Sequence, residues 1–278
     1  MTKDSLVYFL GGGAMAEAMI RGLLEQQVVA REQIVVADIR PERRRWVADE
    51  FGIPTEAPGQ VERLREAAVG ILAFKPKDLV AALADYQAQM HAGQLIISIL
   101  AGVTTQRIEK LLPPQTPVIR AMPNTAAAVG LAATAICGGQ HVQEEHLALA
   151  EALFAAIGSV QRVDEPLMDA VTGLSGSGPA YVYLLAEAML AGGVAAGLDS
   201  NTARALTQQT LLGAAYMLQA SQRSPEELRK QVSSPGGTTL AGLQALAEHH
   251  FSDAVREAIL RATERSRVLS QIVTTGTN

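Results

Sequence analysis

Residues 5–24 read Ser5-Leu-Val-Tyr-Phe-Leu-Gly-Gly-Gly-Ala-Met-Ala-Glu-Ala-Met-Ile-Arg-Gly-Leu-Leu24, and the order of residue types along them indicates the fold class. A short apolar run is followed by a Gly-x-Gly-x-x-Ala turn and then by a helical pattern, which predicts a strand, a tight turn and a helix. Gly11 and Gly13 allow the backbone to approach a bound pyrophosphate, and Ala16 allows the helix to pack closely on the strand. The stretch therefore predicts a dinucleotide-binding α/β domain.

A second apolar run, Gln33-Ile-Val-Val-Ala-Asp38, ends in a carboxylate where dinucleotide-binding folds contact ribose. Asp38 favours NADH, because a carboxylate accepts a hydrogen bond from a ribose 2′-hydroxyl and repels a 2′-phosphate. Arg40 could instead bind that phosphate through two parallel hydrogen bonds. The sequence leaves both cofactors open. The arginines that follow, Arg43, Arg44 and Arg45, are interpreted together with Arg40 as a solvated helix face.

The order of patterns along the chain predicts two domains. Apolar runs at 67–74, 94–100 and 117–121 alternate with helical stretches near 76–90 and 104–112. This alternation predicts an N-terminal Rossmann domain at 1–163, an α/β fold with a doubly wound, mostly parallel sheet. From Asp164 onward only helical patterns occur, at 178–196, 201–221, 225–231, 236–249 and 253–272. They predict a C-terminal all-α domain at 164–278, with helix caps at Asp199/Ser200 and at Ser224-Pro225.

Composition limits the class of protein. An apolar fraction of 48% with 18% charged residues fits a globular chain, and the net charge of −5 argues against nucleic-acid binding. The single cysteine, Cys137, lies in a predicted buried strand, so we expect a core thiol and neither a disulfide nor a cysteine-based metal site. The N-terminal apolar run is too short for a signal peptide, and we expect a cytoplasmic protein without a metal.

The stretch from Ala170 to Leu198 is almost free of charge. Its one charged residue is Glu187, and it contains six glycines and Pro179. Because its uncharged run is shorter than the ~18 residues typical of a membrane span, a spanning helix is not expected. Helices that are apolar on most sides in a soluble chain are buried, so we expect this one to pack against a second subunit.

A further glycine motif, Val232-Ser-Ser-Pro-Gly-Gly-Thr-Thr-Leu-Ala-Gly-Leu243, interrupts the helical half. We predict that Ser234 caps a helix and that Pro235 occupies its first position. Gly236 and Gly237 would then expose backbone N–H groups in the first turn, where a small anion such as a carboxylate binds. Thr238 and Thr239 would place hydroxyl groups beside it.

Three predicted strands end in unusual loops: Phe74-Lys75-Pro76, Leu100-Ala101-Gly102 and Met122-Pro123-Asn124. Ligands of open α/β sheets bind beyond the carboxyl ends of the strands, so these loops are candidates for the ligand site.

These motifs together resemble those of the pyrroline-5-carboxylate reductases, which make proline, and the resemblance covers essentially the whole chain. The segments that carry it are Phe9–Ala16, Ala73–Pro76, Ser98–Val103, Arg120–Asn124, Asp169–Tyr181 and Val232–Thr239. The resemblance implies reduction of a cyclic imine by NAD(P)H, commonly NADPH. It also implies a C-terminal domain that interleaves with its twin in a homodimer, and dimers that often assemble into a decamer.

The resemblance also assigns site residues. Those expected to bind the cofactor, besides Asp38 and Arg40, are Gly11, Gly12, Gly13, Ala14, Met15, Phe74, Lys75, Pro76, Leu100, Ala101, Gly102 and Asn124. Those expected around the substrate are Glu165, Ser175, Gly176, Ser177, Ser233, Ser234, Pro235, Gly236, Gly237, Thr238 and Thr239. Thr239 and Thr238 are expected to be catalytic, since one of their hydroxyls would face the substrate nitrogen.

Two other functions stay open from the residues alone. A hydroxyacid-type dehydrogenase of similar architecture should carry a strong proton donor, such as a Tyr-x-x-x-Lys pair or a lysine in the helical half. Tyr183 does not form such a pair, because the residue four places on is Glu187, and Lys230 is the only lysine of the helical half. A non-catalytic dinucleotide sensor would have no need of the 232–243 motif. An imine needs less acid catalysis than a carbonyl, because it is basic enough to bind already protonated.

Overall fold

The computed structural model describes residues 5–275, with side chains described as far as Gln271. Eight strands form one sheet in the order β3-β2-β1-β4-β5-β6-β7-β8. Their bounds are β1 Leu6–Leu10, β2 Ile34–Ala37, β3 Thr55–Glu56, β4 Ala67–Leu72, β5 Leu95–Ser98, β6 Val118–Met122, β7 Ala132–Gly138 and β8 Gly158–Arg162. Neighbouring strands are parallel except for the β6–β7 pair. The predicted mostly parallel Rossmann sheet is confirmed.

The described residues also form eleven α-helices. Those in the first part of the chain are α1 Ala14–Glu25, α2 Pro41–Phe51, α3 Leu79–Tyr86, α4 Thr105–Glu109, α5 Glu144–Ala155 and α6 Met168–Val171. Those of the second part are α7 Gly178–Ala195, α8 Ser200–Ala220, α9 Pro225–Gln231, α10 Thr238–Glu248 and α11 Phe251–Thr275. A π-helical turn, Thr172–Gly176, lies between α6 and α7. The predicted absence of strands after Asp164 holds throughout the described residues.

The central strands are apolar on both faces because helices cover both. Val7 and Phe9 of β1 point into a core that includes side chains of α1 and α5. Tyr8 and Leu10 point to the other face, where the core includes α3. Covering both faces is what a parallel sheet requires, and it explains why these strands have no alternating polar residues. Cys137 of β7 is a core thiol, as predicted, and burial raises its pKa to about 12.

Strand order reverses next to β1. The chain proceeds from β1 through β2 to β3 on one side and then returns to β4 on the other side of β1. The loops that follow β1 and β4 are therefore next to each other, and the Ala73 N–H donates to the Leu10 carbonyl oxygen at 2.8 Å. Open α/β sheets bind ligands at such a switch point, beyond the carboxyl ends of the strands.

The described residues form two compact units: one contains the sheet, runs as far as Ser177 and resumes at Leu260, and the other is the helical segment Gly178–Ile259. In the helical unit α7 packs on α8, and Gly193 approaches Ala203. The predicted caps are present, since Asp199 accepts from the N–H groups of Asn201 and Thr202 and Ser224 accepts from that of Glu227. The predicted domain boundary at residue 163 rests on sequence pattern and stays a prediction.

The helical unit buries few of its side chains, and those that are buried, Ala203 and Thr207, belong to α8. None of the side chains of α7, α9 or α10 is buried. Large apolar residues such as Leu184 and Tyr216 are about two-thirds exposed in the single chain, at 65% and 67%. Exposed apolar surface of this extent indicates an interaction site.

One helical stretch of the described residues, Glu165–Ala195, is long and apolar enough to cross a membrane, with a mean hydropathy of 1.2 and none of its most apolar window buried. A single stretch of this kind is weak evidence for a membrane span. An apolar helix that is exposed in one chain is also what a subunit interface requires.

Candidate active site at the strand ends

The glycine loop after β1 forms an anion-binding helix start. The Gly11 N–H donates to the Ala37 carbonyl oxygen at 2.7 Å, and Gly13 caps α1 without a side-chain hydrogen bond. The first N–H bonded within the helix is that of Glu17, to the Gly13 carbonyl oxygen. The N–H groups of the preceding turn, which includes Ala14 and Met15, therefore have no partner in the helix and can bind a pyrophosphate.

Asp38 closes this loop on the side of β2. Its Oδ2 accepts from the Gly12 N–H at 2.9 Å, and its Oδ1 accepts from the Arg40 N–H at 2.9 Å and from Arg40 Nε at 3.0 Å. Asp38 is 6% exposed, whereas the Arg40 side chain is 51% exposed. Burial raises the pKa of the Asp38 carboxyl, but the hydrogen bonds from Arg40 and Gly12 outweigh it, so the pKa lies below its ordinary value.

The arginine cluster is not wholly a solvated helix face, and that interpretation is wrong for Arg43. Its side chain is only 19% exposed, it donates to the Gly12 carbonyl oxygen through Nε, and it pairs with Glu17 at 2.7 Å through Nη2. Its guanidinium lies 4.2 Å from the centre of the Trp46 ring. The Arg43 side chain thus connects α2 to the glycine loop, a contact that helical periodicity cannot predict.

The other two arginines differ from each other. Arg44 is half-buried and donates to the Asp38 carbonyl oxygen at 2.6 Å, whereas Arg45 is exposed, as predicted. The guanidinium groups of Arg40, Arg43 and Arg44 therefore lie beside Asp38 and the glycine loop at the β2 end, where Asp38 pairs with Arg40 and Glu17 pairs with Arg43.

Three more strand ends lie on the same edge of the sheet, because β4, β5 and β6 run parallel to β1. Phe74, Lys75 and Pro76 follow β4, and the loop from Leu100 to Gly102 follows β5. In this second loop the Val103 N–H donates to the Leu100 carbonyl oxygen and Gly102 has a φ of +73°. The structure therefore brings the predicted cofactor loops together at one edge.

Asn124, which follows β6, connects this edge to the π-helical turn. Its side-chain oxygen accepts from the Ala126 N–H at 3.2 Å, and its Nδ2 donates to the Ser175 carbonyl oxygen at 3.1 Å. The turn itself is closed by a hydrogen bond of 2.8 Å from the Ser177 N–H to the Thr172 carbonyl oxygen. Ser175, Gly176 and Ser177 thus lie beside the end of β6, next to a predicted cofactor loop.

Glu165 is engaged within the sheet unit. Its Oε1 accepts from the Thr105 N–H at 2.8 Å, and its Oε2 accepts from the Thr105 hydroxyl at 2.6 Å. The buried Arg120 side chain lies 3.6 Å from Oε1. The carboxylate therefore holds the start of α4, and its predicted contact with substrate stays a prediction. Sequence reasoning did not identify Thr105 or Arg120 as its partners.

The predicted cap at Ser234 is wrong, because α10 begins at Thr238 with Gly237 as its N-cap. Ser234-Pro-Gly-Gly237 instead forms a turn, in which the Gly237 N–H donates to the Ser234 carbonyl oxygen at 3.0 Å and Gly236 has a φ of +72°. Proline at the second position and a positive φ at the third are typical of a type II turn. The free N–H groups are therefore those of Thr238 and the residues that follow it.

Thr238 and Thr239 are the first two residues of α10, and both are exposed. The hydroxyl of Ser233 donates to the Arg229 carbonyl oxygen, so it completes the end of α9. The predicted motif thus presents two hydroxyl groups at a helix N-terminus within the helical unit. Across the part of the chain that the structure describes, no group of His, Cys, Asp and Glu side chains could hold a metal ion.

Two family models match the chain. One is described as pyrroline-5-carboxylate reductase dimerisation and covers residues 165–269. The other is described as NADP oxidoreductase coenzyme F420-dependent and covers residues 6–102, which include the glycine loop and the loop after β5.

Similar proteins cover almost the full length. A Bacillus spizizenii protein named pyrroline-5-carboxylate reductase 1 is 43% identical over 265 residues, which are 95% of this chain and 89% of that protein. Two solved structures are also similar. A pyrroline-5-carboxylate reductase from Coxiella burnetii has a TM-score of 0.89 at 33% identity, covering 96% of this chain and 98% of that one. The Plasmodium falciparum enzyme with NADP bound has a TM-score of 0.86 at 25% identity, covering 97% and 100%.

Proposed function

The chain belongs to the pyrroline-5-carboxylate reductase family, and from this premise we infer that it reduces 1-pyrroline-5-carboxylate to L-proline with NAD(P)H, in proline biosynthesis. The observation that carries this function is the full-length similarity to such reductases. The glycine loop at the switch point supports it independently, because a free helix N-terminus beside a strand that ends in a carboxylate residue fits a dinucleotide.

A bound nicotinamide would supply the hydride that the ring C=N carbon accepts. The chain's own residues have the remaining tasks. We propose that the first turn of α1 binds the pyrophosphate and that the loops after β4, β5 and β6 hold the nicotinamide half, with Asn124 fixing the last of them. The N-terminus of α10 would bind the substrate carboxylate, and the hydroxyl of Thr239 or Thr238 would orient the imine nitrogen.

We propose NADPH as the preferred cofactor, with NADH as the alternative. Arg40 already neutralises Asp38, since both its backbone and its side chain donate to that carboxylate. Arg44 adds a second positive charge at the same strand end. A 2′-phosphate would meet the exposed Arg40 guanidinium and not a free carboxylate, which favours the phosphorylated cofactor.

Replacement of Asp38 by Ala is expected to raise the NADPH-to-NADH ratio of kcat/KM, and replacement of Arg40 by Ala is expected to lower it, each by about tenfold. The Asp38 change removes a negative charge beside the 2′ position, and the Arg40 change removes its positive partner. Steady-state kinetics with both cofactors measure the ratio. Arg45→Ala is the matched control, because this exposed neighbour should leave the ratio unchanged. An unchanged ratio in the Asp38 and Arg40 variants as well would contradict the assignment of these two residues to the 2′ position of the cofactor.

The dimerisation domain supports self-association. We propose a homodimer that can assemble further into a decamer, in the cytoplasm, with no nucleic-acid or membrane partner. The apolar residues exposed on α7 and α8 support a dimer, because a second copy would remove them from water. The chain's net charge of −5 argues against a nucleic-acid partner.

Replacement of Leu184 by Glu is expected to weaken the dimer, because the substitution buries a charge in the proposed interface. Sedimentation at micromolar concentration should show the wild type as a dimer or larger and the variant shifted toward monomer. Val80→Glu is the control, since Val80 is similarly exposed, at 55%, on α3 of the sheet unit. A folded wild-type monomer at that concentration would refute the proposed oligomer.

The function itself is tested by following NADPH oxidation with synthetic 1-pyrroline-5-carboxylate present. We expect turnover with this imine and none with a panel of 3-oxoacids, which a hydroxyacid dehydrogenase would reduce with the same cofactor. Turnover restricted to the second group would favour a hydroxyacid dehydrogenase. Cofactor binding without turnover of any substrate would favour a sensor.

A further inference from the structure

The loop after β5 is held at its far end by a side chain from a distant segment. The segment Leu100–Thr105 runs from this loop to the start of α4, where Thr105 donates two hydrogen bonds to Glu165. Glu165 lies in the short 3₁₀ turn that leads into α6. One end of the loop segment is therefore fixed by this region of the chain.

The middle of the same segment touches the C-terminal helix α11. Ser270 Oγ lies 3.3 Å from the position that a Cβ on Gly102 would take, and the Ser270 backbone nitrogen lies 3.4 Å from it. Gly102 has a left-handed backbone conformation, with a φ of +73°. The shape of the loop therefore depends on where this turn of α11 is held.

Asp169 holds this turn of α11 in place. Its Oδ1 accepts from the Ser266 hydroxyl at 2.7 Å and from the Ser270 hydroxyl at 3.3 Å, across 97 and 101 residues of sequence. Ser266 is buried, and the Ser270 hydroxyl is shared with the Ser266 carbonyl oxygen at 3.0 Å. Asp169 belongs to α6, one turn after Glu165, so the same short region fixes both the end and the middle of the loop segment.

We propose that Asp169 is a positioning residue for the cofactor: through Ser266 and Ser270 it holds α11 against Gly102 and so sets the shape of the Leu100–Gly102 loop. This inference rests on the proposed function, in which that loop contacts the cofactor. Asp169 itself touches neither the glycine loop nor the cofactor-side strand ends in the contacts described, and its effect reaches them only through α11. Loss of its carboxylate should therefore reduce cofactor affinity more than it affects the substrate.

Asp169→Ala is expected to raise the dissociation constant for NADPH about tenfold, because a loop displaced by a fraction of an ångström loses its fit to the nicotinamide half. The KM for 1-pyrroline-5-carboxylate at saturating NADPH should change less than about twofold. Asp169→Asn should bind NADPH within about twofold of the wild type, since its amide oxygen can accept from the same two hydroxyls. Quenching of Trp46, the single tryptophan, measures binding, because its ring lies beside Arg43 and the glycine loop.

Two further variants separate this role from general stability and from the proposed function. Thr172→Val removes a hydroxyl that donates to the Met168 carbonyl oxygen within the same helical region, so it should leave NADPH binding unchanged. Ala101→Asp adds a carboxylate at the exposed tip of the loop and should weaken NADPH binding by repulsion.

The inference is overturned if Ala101→Asp weakens NADPH binding but Asp169→Ala only lowers the melting temperature and leaves the NADPH dissociation constant unchanged. The proposed function is not affected by that result. It is also overturned if Ala101→Asp has no effect, because the loop would then not be a cofactor loop. Failure of the wild type to oxidise NADPH with the imine contradicts the proposed function instead.

Discussion

Replacement of Thr239 by Val is expected to lower kcat/KM for 1-pyrroline-5-carboxylate by about 10- to 150-fold, while the dissociation constant for NADPH stays unchanged. The range corresponds to one lost hydrogen bond to a charged group, worth roughly 1.5–3 kcal/mol. The loss should not be much larger, because the iminium can form in solution without help from the enzyme. Steady-state kinetics with the imine and a separate NADPH titration give the two quantities.

The structure indicates that this substitution removes the hydroxyl without disturbing the fold. Thr239 is exposed at the second position of α10, and within the described residues its hydroxyl makes no hydrogen bond that the fold would lose. Valine has nearly the same volume and branching. A fall in activity would therefore report on the substrate and not on folding, which the melting temperature can verify.

Thr238→Val is the internal comparison, because its hydroxyl stands at the first position of the same helix. A large loss in one variant alone identifies the hydroxyl that faces the imine. If both variants keep kcat/KM near that of the wild type, the proton reaches the nitrogen through water and neither threonine has the proposed catalytic role.

Replacement of Gly11 by Ala should lower the free energy of unfolding by about 3 kcal/mol and weaken NADPH binding by more than about 100-fold. Gly11 has a φ of +105°, and an added Cβ would lie 2.6 Å from the Ala73 carbonyl oxygen. This neighbour is backbone, fixed by the hydrogen bond from the Ala73 N–H to Leu10, so it cannot move aside as a side chain would. The loop must open, and the helix N-terminus then moves away from the pyrophosphate.

Gly13→Ala is the matched control for stability. Gly13 has a φ of −68°, and an added Cβ would meet only the Ala73 carbonyl oxygen, at 3.9 Å. We expect its unfolding free energy within about 0.5 kcal/mol of the wild type. Denaturant titration at one fixed protein concentration gives both values, since stability of an oligomer depends on concentration. Equal unfolding free energies for Gly11→Ala and wild type would show that the loop tolerates the contact.

The central strands could be predicted from sequence because they are apolar on both faces, as in the runs that became β1, β2, β4 and β5. Two strands had no such signal. Thr55–Glu56 is only two residues long, and Gly158–Arg162 lies at the edge of the sheet, where Gln161 and Arg162 are exposed. The antiparallel direction of β7 was also not visible, since an apolar run is the same in either direction.

The candidate site was predictable where a contact is local and not where it is distant. The turn of the glycine loop and the pairing of Asp38 with Arg40 depend on short-range geometry. The contacts of Arg43 with Gly12 and of Asp169 with Ser266 join residues far apart in sequence. The helix cap predicted at Ser234 is wrong for a different reason. The sequence Ser-Pro-Gly-Gly suits both a helix start and a type II turn, so residue preferences alone do not distinguish the two.

The sheet unit is discontinuous in the chain, because it contains residues up to Ser177 and then those from Leu260 onward. During translation the eight strands leave the ribosome long before Ser266 and Ser270 do. A nascent chain can therefore form the sheet early, but Asp169 meets its two hydroxyl partners only after the whole helical unit has been made. A chain arrested before residue 266 would carry a glycine loop with every local contact present and a loop after β5 that lacks the contact between Gly102 and Ser270.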